Sequence, residues 1–154
     1  MQLIDLISPE AIIASLKATG AKQAFQEIGR RAADVYDLDC RSVTEGLLER
    51  EKLGSTAMGS GVAIPHSRIE GLERIVGIFV RLEKPLDFDA ADGQAVDLLF
   101  TLLAPEQAGA DHLRALARVS RLLRDEPVRE KLRSADDPTA LYALLVEMTE
   151  SRAA

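Results

Sequence analysis

A single cysteine, Cys40, is all the chain contains, which excludes an internal disulfide and a cysteine-rich zinc site. The lone thiol fits a reducing compartment and is read as inert, the alternative of a Cys40–histidine pair having no local motif behind it. Long apolar runs are also missing. Stretches such as Ile75 to Val80 fall far short of the ~20 residues a membrane span requires. The N-terminus has no basic region followed by an apolar stretch, so neither membrane insertion nor a signal peptide is expected. Positive charge is in deficit, with 25 acidic against 19 basic residues and a net charge of -6. Nucleic acid and anionic lipid are therefore disfavoured as partners. Low-complexity tracts, internal repeats and linkers are absent. What is present is ordinary for a globular protein: 154 residues, 47% hydrophobic and 29% charged. One cytoplasmic domain spanning 1–154 with a single core is expected.

Periodicity supplies the elements. From Ala21 to Tyr36, Phe25, Ile28, Ala32 and Val35 recur every three or four residues with charges on the other faces, predicting an amphipathic helix. Ser42 with Glu45 has capping-box spacing and predicts a second helix ending near Lys52. Ser8-Pro9-Glu10 resembles a helix start, yet Ala11 to Leu16 fits a buried strand equally well. Gly54, Gly59 and Gly61, mixed with Ser55, Thr56 and Ser60, read as a loop entering the short strand Val62-Ala63-Ile64-Pro65-His66. Ile75 to Leu82 and Val96 to Leu103 read as buried strands, separated by the turn-prone Asp87 to Gly93. Helices are predicted from Asp111, as N-cap, through Leu123, then over Val128–Arg133 and Pro138–Met148. Near-continuous apolar strands need cover on both faces, so the fold class expected is a layered α/β domain.

The chemistry narrows to histidine. The glycine loop lacks the Gly-Lys-Ser/Thr of a P-loop, and Gly59-Ser60-Gly61 lacks the third glycine of a dinucleotide fingerprint. Ser60 has no nucleophile-elbow pattern, and the acidic turn fails calcium-loop spacing because Leu98 stands where the glutamate is needed. Two histidines far apart with scattered carboxylates give no metal spacing. His66 follows a proline and a loop whose amides and hydroxyls can surround an anion, or which is simply a tight turn. A neutral imidazole, with an ordinary pKa of about 6.5, is nucleophilic and can form a transferable phosphoramidate. His112 either donates a hydrogen bond to phosphate on His66 or is a surface histidine at a helix start. Arg50 either clamps phosphate or a partner carboxylate, or is a charge at a helix end. Arg114, Arg118, Arg121 and Arg124 recur at helical spacing, as a solvated face or as a dock for an acidic partner.

The segment Arg50-Glu51-Lys52-Leu53-Gly54-Ser55-Thr56 through Gly59-Ser60-Gly61-Val62-Ala63-Ile64-Pro65-His66 resembles the active-site region of phosphotransferase-system enzyme IIA proteins of the fructose, mannitol and nitrogen-regulatory type. The resemblance continues through Pro85 to Ala90, Gly93, Val96 to Phe100 and Asp111-His112-Leu113, and so covers nearly the whole chain. Arg-Glu-Lys-Leu-Gly-Ser-Thr and Leu-Leu-Ala-Pro resemble the nitrogen-regulatory branch most. Ser60 stands where Asn is common, Ala57 where Gly is common, and Ser67 where Gly is frequent. The resemblance implies a three-layer α/β/α fold with a mixed sheet, His66 as phosphoryl acceptor, and His112 and Arg50 as assisting residues. It implies an HPr-like donor charged from phosphoenolpyruvate through enzyme I, with no metal, nucleotide or other cofactor. A regulatory role toward targets such as kinases or transporters is expected, ahead of phosphoryl transfer to a sugar permease's IIB component or a non-catalytic binding role.

Overall fold

The computed structural model describes residues 2–153, with side chains over 2–147. In chain order the elements are α1 (Leu3–Leu6), β1 (Ile12–Leu16), α2 (Ala21–Tyr36), α3 (Cys40–Leu53), β2 (Ala57–Gly59), β3 (Val62–Ala63) and β4 (His66–Ile69). They continue with β5 (Val76–Leu86), β6 (Val96–Pro105), α4 (Ala110–Leu123), α5 (Glu126–Ser134) and α6 (Pro138–Ala153). The sheet runs β1-β5-β6-β3-β2, with β4 also on β6. It is mixed: β1 is parallel to β5, β5 antiparallel to β6, and β3 and β4 both parallel to β6. One face is covered by α2 and α3, which pack on β5 and β4. The other is covered by α4 over β6 and α6 over β1, with α5 between these helices. The expected three-layer α/β/α arrangement is what forms. Its cause is visible in β5 and β6, where Val76 to Val80 and Leu98 to Ala104 are buried without a break and need helices on both sides.

Several boundaries differ from the sequence reading. The ambiguous N-terminal run resolves into a 3-10 turn at Pro9–Ala11 that feeds strand β1. Pro9 fixes the turn's first φ but only one turn forms, because Ile12 and Ile13 pair with Phe79 and Val80 of β5. The second helix starts two residues before Ser42. Asp39 is the N-cap, its carboxylate accepting from the Ser42 amide and hydroxyl, so the Ser42 cap is corrected to Asp39. Asp111 is likewise not an N-cap. Gly109 occupies that position, with φ 52°, and Asp111 lies in the first turn, where its charge complements the helix dipole. Helix α1 gave no periodic signal, being four residues long.

The most consequential feature of the sheet is a broken strand. β3 places Val62 and Ala63 opposite Leu98 and Leu99, and β4 places His66 opposite Leu102, so 62 to 69 track one edge of β6. Pro65 has no N–H for the ladder and interrupts it, although its carbonyl still accepts from the Leu102 amide at 2.9 Å. His66 is thus the first residue after the break.

Helix α3 lies very close to β4 at Gly46, where an added Cβ would collide with Ser67 Oγ. Gly46→Ala is therefore expected to lower stability on its own. In a Ser67→Gly background the collision is gone, and the better helix propensity should make the same change stabilising by about 0.5–1 kcal/mol. Urea denaturation of the four proteins in this cycle checks it, and additive effects would remove the steric explanation.

Candidate functional site

Two helices meet at His66. The last turn of α3 supplies Arg50 and the first turn of α4 supplies His112, while His66 itself opens β4 and is half-buried. Arg50 Nε lies 3.2 Å from His66 Nε2, and Arg50 Nη1 donates to the Gly54 carbonyl at 2.8 Å. His66 Nδ1 lies 2.9 Å from the Ile64 carbonyl. These contacts settle the tautomer by elimination. A guanidinium can only donate and a carbonyl can only accept, so the ring proton is on Nδ1 and the lone pair on Nε2. Both constraints follow from the local chain. Pro65 makes the break that turns the ring back onto Ile64, and Gly54 ends α3 so that Arg50 can reach across.

The His112 ring stands edge-on to His66, with centroids 5.4 Å apart and planes at 76°. It is only 7% exposed, so it is not the surface histidine that one reading allowed. Among the described residues its Nε2 is buried without a hydrogen-bond partner. An orphaned ring nitrogen is costly, and beside a nucleophile it is available to whatever group arrives there. Burial pushes the pKa of both rings below the ordinary histidine value. Arg50 adds to this at His66, while the Ile64 hydrogen bond and Glu51 oppose it. At His112, His66 and Arg68 reinforce the effect of burial. Both imidazoles are thereby kept neutral near pH 7, and His66 keeps its nucleophilic lone pair.

A stability consequence carries its own sign. An unfolded histidine protonates near pH 6.5, whereas these two resist it when folded, so below about pH 6.5 the unfolded chain binds more protons. Stability is therefore expected to fall as pH drops from 7 to 5.5, and to be insensitive to these rings above 7. Asp39 and Asp92, whose carboxyls are held low by hydroxyl and backbone donors, contribute stability that is fully present above about pH 4 and is lost only as pH falls below it. Thermal melts at pH 7.5 and 5.5 should show a larger drop for the native protein than for the His66→Gln/His112→Gln double variant. Equal drops would show that the histidines are not responsible.

Of the two readings of the glycine loop, the contacts are those of a tight turn rather than an anion cradle. The Ser55 hydroxyl donates to the Phe88 carbonyl and accepts from the Ala57 amide. Thr56 is held by Glu51, which accepts from its amide at 2.8 Å and its hydroxyl at 2.6 Å. Gly59-Ser60-Gly61 is the turn of the β2–β3 hairpin, all three residues at positive φ. Its groups are committed elsewhere: the Ser60 amide donates to Asp92, and the Ser60 carbonyl accepts from Arg133, which also pairs with Asp97. The Gly61 carbonyl accepts from the Asp97 and Leu98 amides, whereas His66 sits opposite Leu102. At ~3.3 Å per residue that separates the turn from His66 by about 15 Å along β6. The turn's glycines serve the hairpin: a Cβ on Gly61 would lie 2.6 Å from Arg133 Nη2.

Two nearby residues were not anticipated. Glu51 follows Arg50 and clamps Thr56, and no spacing in the sequence marks it. Arg68 does carry a signal, because i and i+2 share a face of a strand, and His66 and Arg68 stand so on β4. Its guanidinium donates to the Glu106 carbonyl at 2.9 Å. Among the described residues no group of three or more His, Cys, Asp or Glu side chains can hold a metal ion.

Comparison with known proteins is consistent across the chain. Residues 5–148 match the model of the family described as "Phosphoenolpyruvate-dependent sugar phosphotransferase system, EIIA 2". A nitrogen regulatory protein of Bradyrhizobium diazoefficiens is 54% identical over 145 residues, covering 94% of this chain and 95% of that protein. One from Pseudomonas aeruginosa is 37% identical, covering 96% of this chain and 97% of its own. The crystal structure of nitrogen regulatory protein IIA-Ntr from Neisseria meningitidis superposes with a TM-score of 0.86 at 35% identity, covering 92% of this chain and 97% of that one. The chain belongs to the EIIA 2 family of the phosphoenolpyruvate-dependent sugar phosphotransferase system.

Proposed function

We propose that this protein accepts a phosphoryl group on Nε2 of His66 from an HPr-like phosphocarrier, and that its phosphorylation state regulates target proteins such as kinases or transporters in the cytoplasm. The observation that carries the reading is the tautomer: with the proton on Nδ1 and held by Ile64, Nε2 presents a lone pair at the meeting of Arg50 and His112.

The step is an in-line displacement at phosphorus. The bond from the donor's histidine nitrogen to phosphorus breaks as the bond from His66 Nε2 forms, and the donor ring leaves as neutral imidazole by taking a proton from solvent. His66 becomes a phosphoimidazole still protonated at Nδ1, its positive ring facing the Ile64 carbonyl. Before that, Arg50 must leave Nε2, and a short swing puts its guanidinium on the phosphoryl oxygens. The unpartnered Nε2 of His112 supplies a hydrogen bond to the same oxygens. A phosphoryl group adds roughly two negative charges to the surface, enough to change which protein binds there.

Incubation with enzyme I, an HPr-like carrier and phosphoenolpyruvate tests this, with an acid-labile mass gain of one phosphoryl group expected. No gain would favour the non-catalytic binding role. The nitrogen regulatory names of the relatives support a regulatory output. Onward transfer to a IIB component with sugar phosphorylation would instead place the protein in transport. No helix among the described residues is long and apolar enough to cross a membrane, which accords with a cytoplasmic site of action.

A further inference from the structure

We propose that Glu51 is a positioning residue for the reaction: by clamping Thr56 it fixes both contacts that hold the His66 ring, the Arg50 guanidinium on Nε2 and the Ile64 carbonyl on Nδ1. The inference rests on the phosphoryl-acceptor reading and adds to it the residue that keeps the acceptor nitrogen unprotonated and aimed.

Connectivity is the first argument. Glu51 lies in the last turn of α3, one residue after Arg50, and grips the chain that follows at two points. Its backbone carbonyl accepts from the Gly54 amide at 3.2 Å. Its carboxylate accepts from the Thr56 amide at 2.8 Å and from the Thr56 hydroxyl at 2.6 Å, one oxygen to each. Residues 54–56 are thereby pinned against the helix end, and each end of that segment leads to one side of His66. The Gly54 carbonyl holds Arg50 Nη1 at 2.8 Å, while Arg50 Nε reaches His66 Nε2 at 3.2 Å. The Thr56 carbonyl accepts from the Ile64 amide at 3.0 Å, one rung beyond the Ala57–Ala63 pair of the β2–β3 hairpin. The Ile64 carbonyl in turn faces His66 Nδ1 at 2.9 Å.

Electrostatics is the second. A helix C-terminus carries partial negative charge and disfavours an acid, and the last turn of α3 places Glu51 between Arg50 and Lys52. A carboxylate there does not serve the helix, and the two Thr56 donors are what it is held by. Thr56 is buried and Glu51 partly so, which limits the competition of water for those bonds. The charge also reaches the ring. Burial and Arg50 lower the His66 pKa, whereas the Ile64 hydrogen bond and Glu51 oppose them. Glu51 therefore favours the positive ring that phosphorylated His66 becomes, with phosphorus on Nε2 and the proton on Nδ1.

The test combines transfer rates with the ring tautomer in Glu51→Gln, Thr56→Val and Thr56→Ser, each verified as folded by circular dichroism. Glutamine keeps the side chain's size but turns one acceptor into a donor facing the Thr56 donors. Valine removes only the hydroxyl and leaves the Glu51 charge in place. With carrier charged by enzyme I and phosphoenolpyruvate, Glu51→Gln should lower kcat about 10–100-fold, the cost of misplacing the reacting groups by about 1 Å, with KM within about twofold of native. Thr56→Val should lower kcat by up to about tenfold, the worth of one hydrogen bond, and Thr56→Ser should recover most of that loss. Heteronuclear NMR of the His66 ring nitrogens, recorded without carrier, should show the Nδ1-protonated form alone in native protein and both tautomers in Glu51→Gln. Native kcat in Glu51→Gln, a loss confined to KM, or slowed transfer with the tautomer unchanged would each overturn the positioning role while leaving His66 as acceptor. Should Glu51→Gln not fold, Thr56→Val decides by the same two readouts. No transfer to native protein would overturn the acceptor reading as well.

Discussion

Replacing His66 by glutamine is expected to abolish phosphoryl acceptance completely while the protein stays folded. The ring is half-buried at a strand start and fills no core position, and glutamine is close to it in size and polarity. No other group can stand in. His112 is the other histidine of the chain, and at 7% exposure its ring is shielded from a donor held on a separate protein. The loss should therefore be of kind rather than degree, since without Nε2 no bond to phosphorus can form. Intact-protein mass after incubation with the charged carrier is the readout, with a melting temperature close to native as the control. Label persisting on a folded His66→Gln protein would show that another residue is the acceptor.

The second large effect is expected at His112. Among the described residues its Nε2 is buried without a partner, and a phosphoryl oxygen arriving on His66 would satisfy it. A donor poised for charge that develops during transfer contributes far more in a water-poor site than an ordinary surface hydrogen bond. His112→Ala should slow phosphoryl transfer about 10²–10³-fold, the loss typical of deleting one such donor. His112→Gln keeps an amide donor and should recover part of that loss, most clearly at alkaline pH, where a protonatable ring gives no advantage. Rapid-quench single turnovers of both variants across pH 6 to 9 give the comparison. An Ala variant as fast as native would leave His112 with a packing role only. Equal defects for Ala and Gln would point to a ring-specific contribution rather than hydrogen-bond donation.

The proposed acceptor was legible in the sequence for two separate reasons. Residue chemistry made His66 a possible nucleophile beside an anion-friendly loop, with Cys40 lacking any local motif, and the wording around His66 matched a family. The helices were legible because Phe25, Ile28 and Ala32 obey a 3.6-residue period that survives any tertiary arrangement. The loop was left between two readings for a physical reason. Glycines and hydroxyls suit an anion and a hairpin equally well. What decides between them is the location of their partners, and Asp92, Asp97 and Arg133 are more than thirty residues away in sequence. Cap positions slipped similarly, since Asp39 and Ser42 both have capping side chains and only the backbone path says which one caps.

By itself the sequence determined the layered α/β class and the central apolar strands and singled out His66 as the candidate, because hydrophobic periodicity and nucleophilicity are properties of residues in order. Only the tertiary structure decided what makes His66 usable. The break at Pro65 aims Nδ1 at Ile64, the end of α3 brings Arg50 to Nε2, and the start of α4 buries an unpartnered His112 beside them. Arg50, His66 and His112 lie on three different elements, and the tautomer, the pKa directions and the orphaned nitrogen depend on distances between them. Such distances are set by how β4 and β6 pair and how two helices pack across the sheet, which no local pattern encodes.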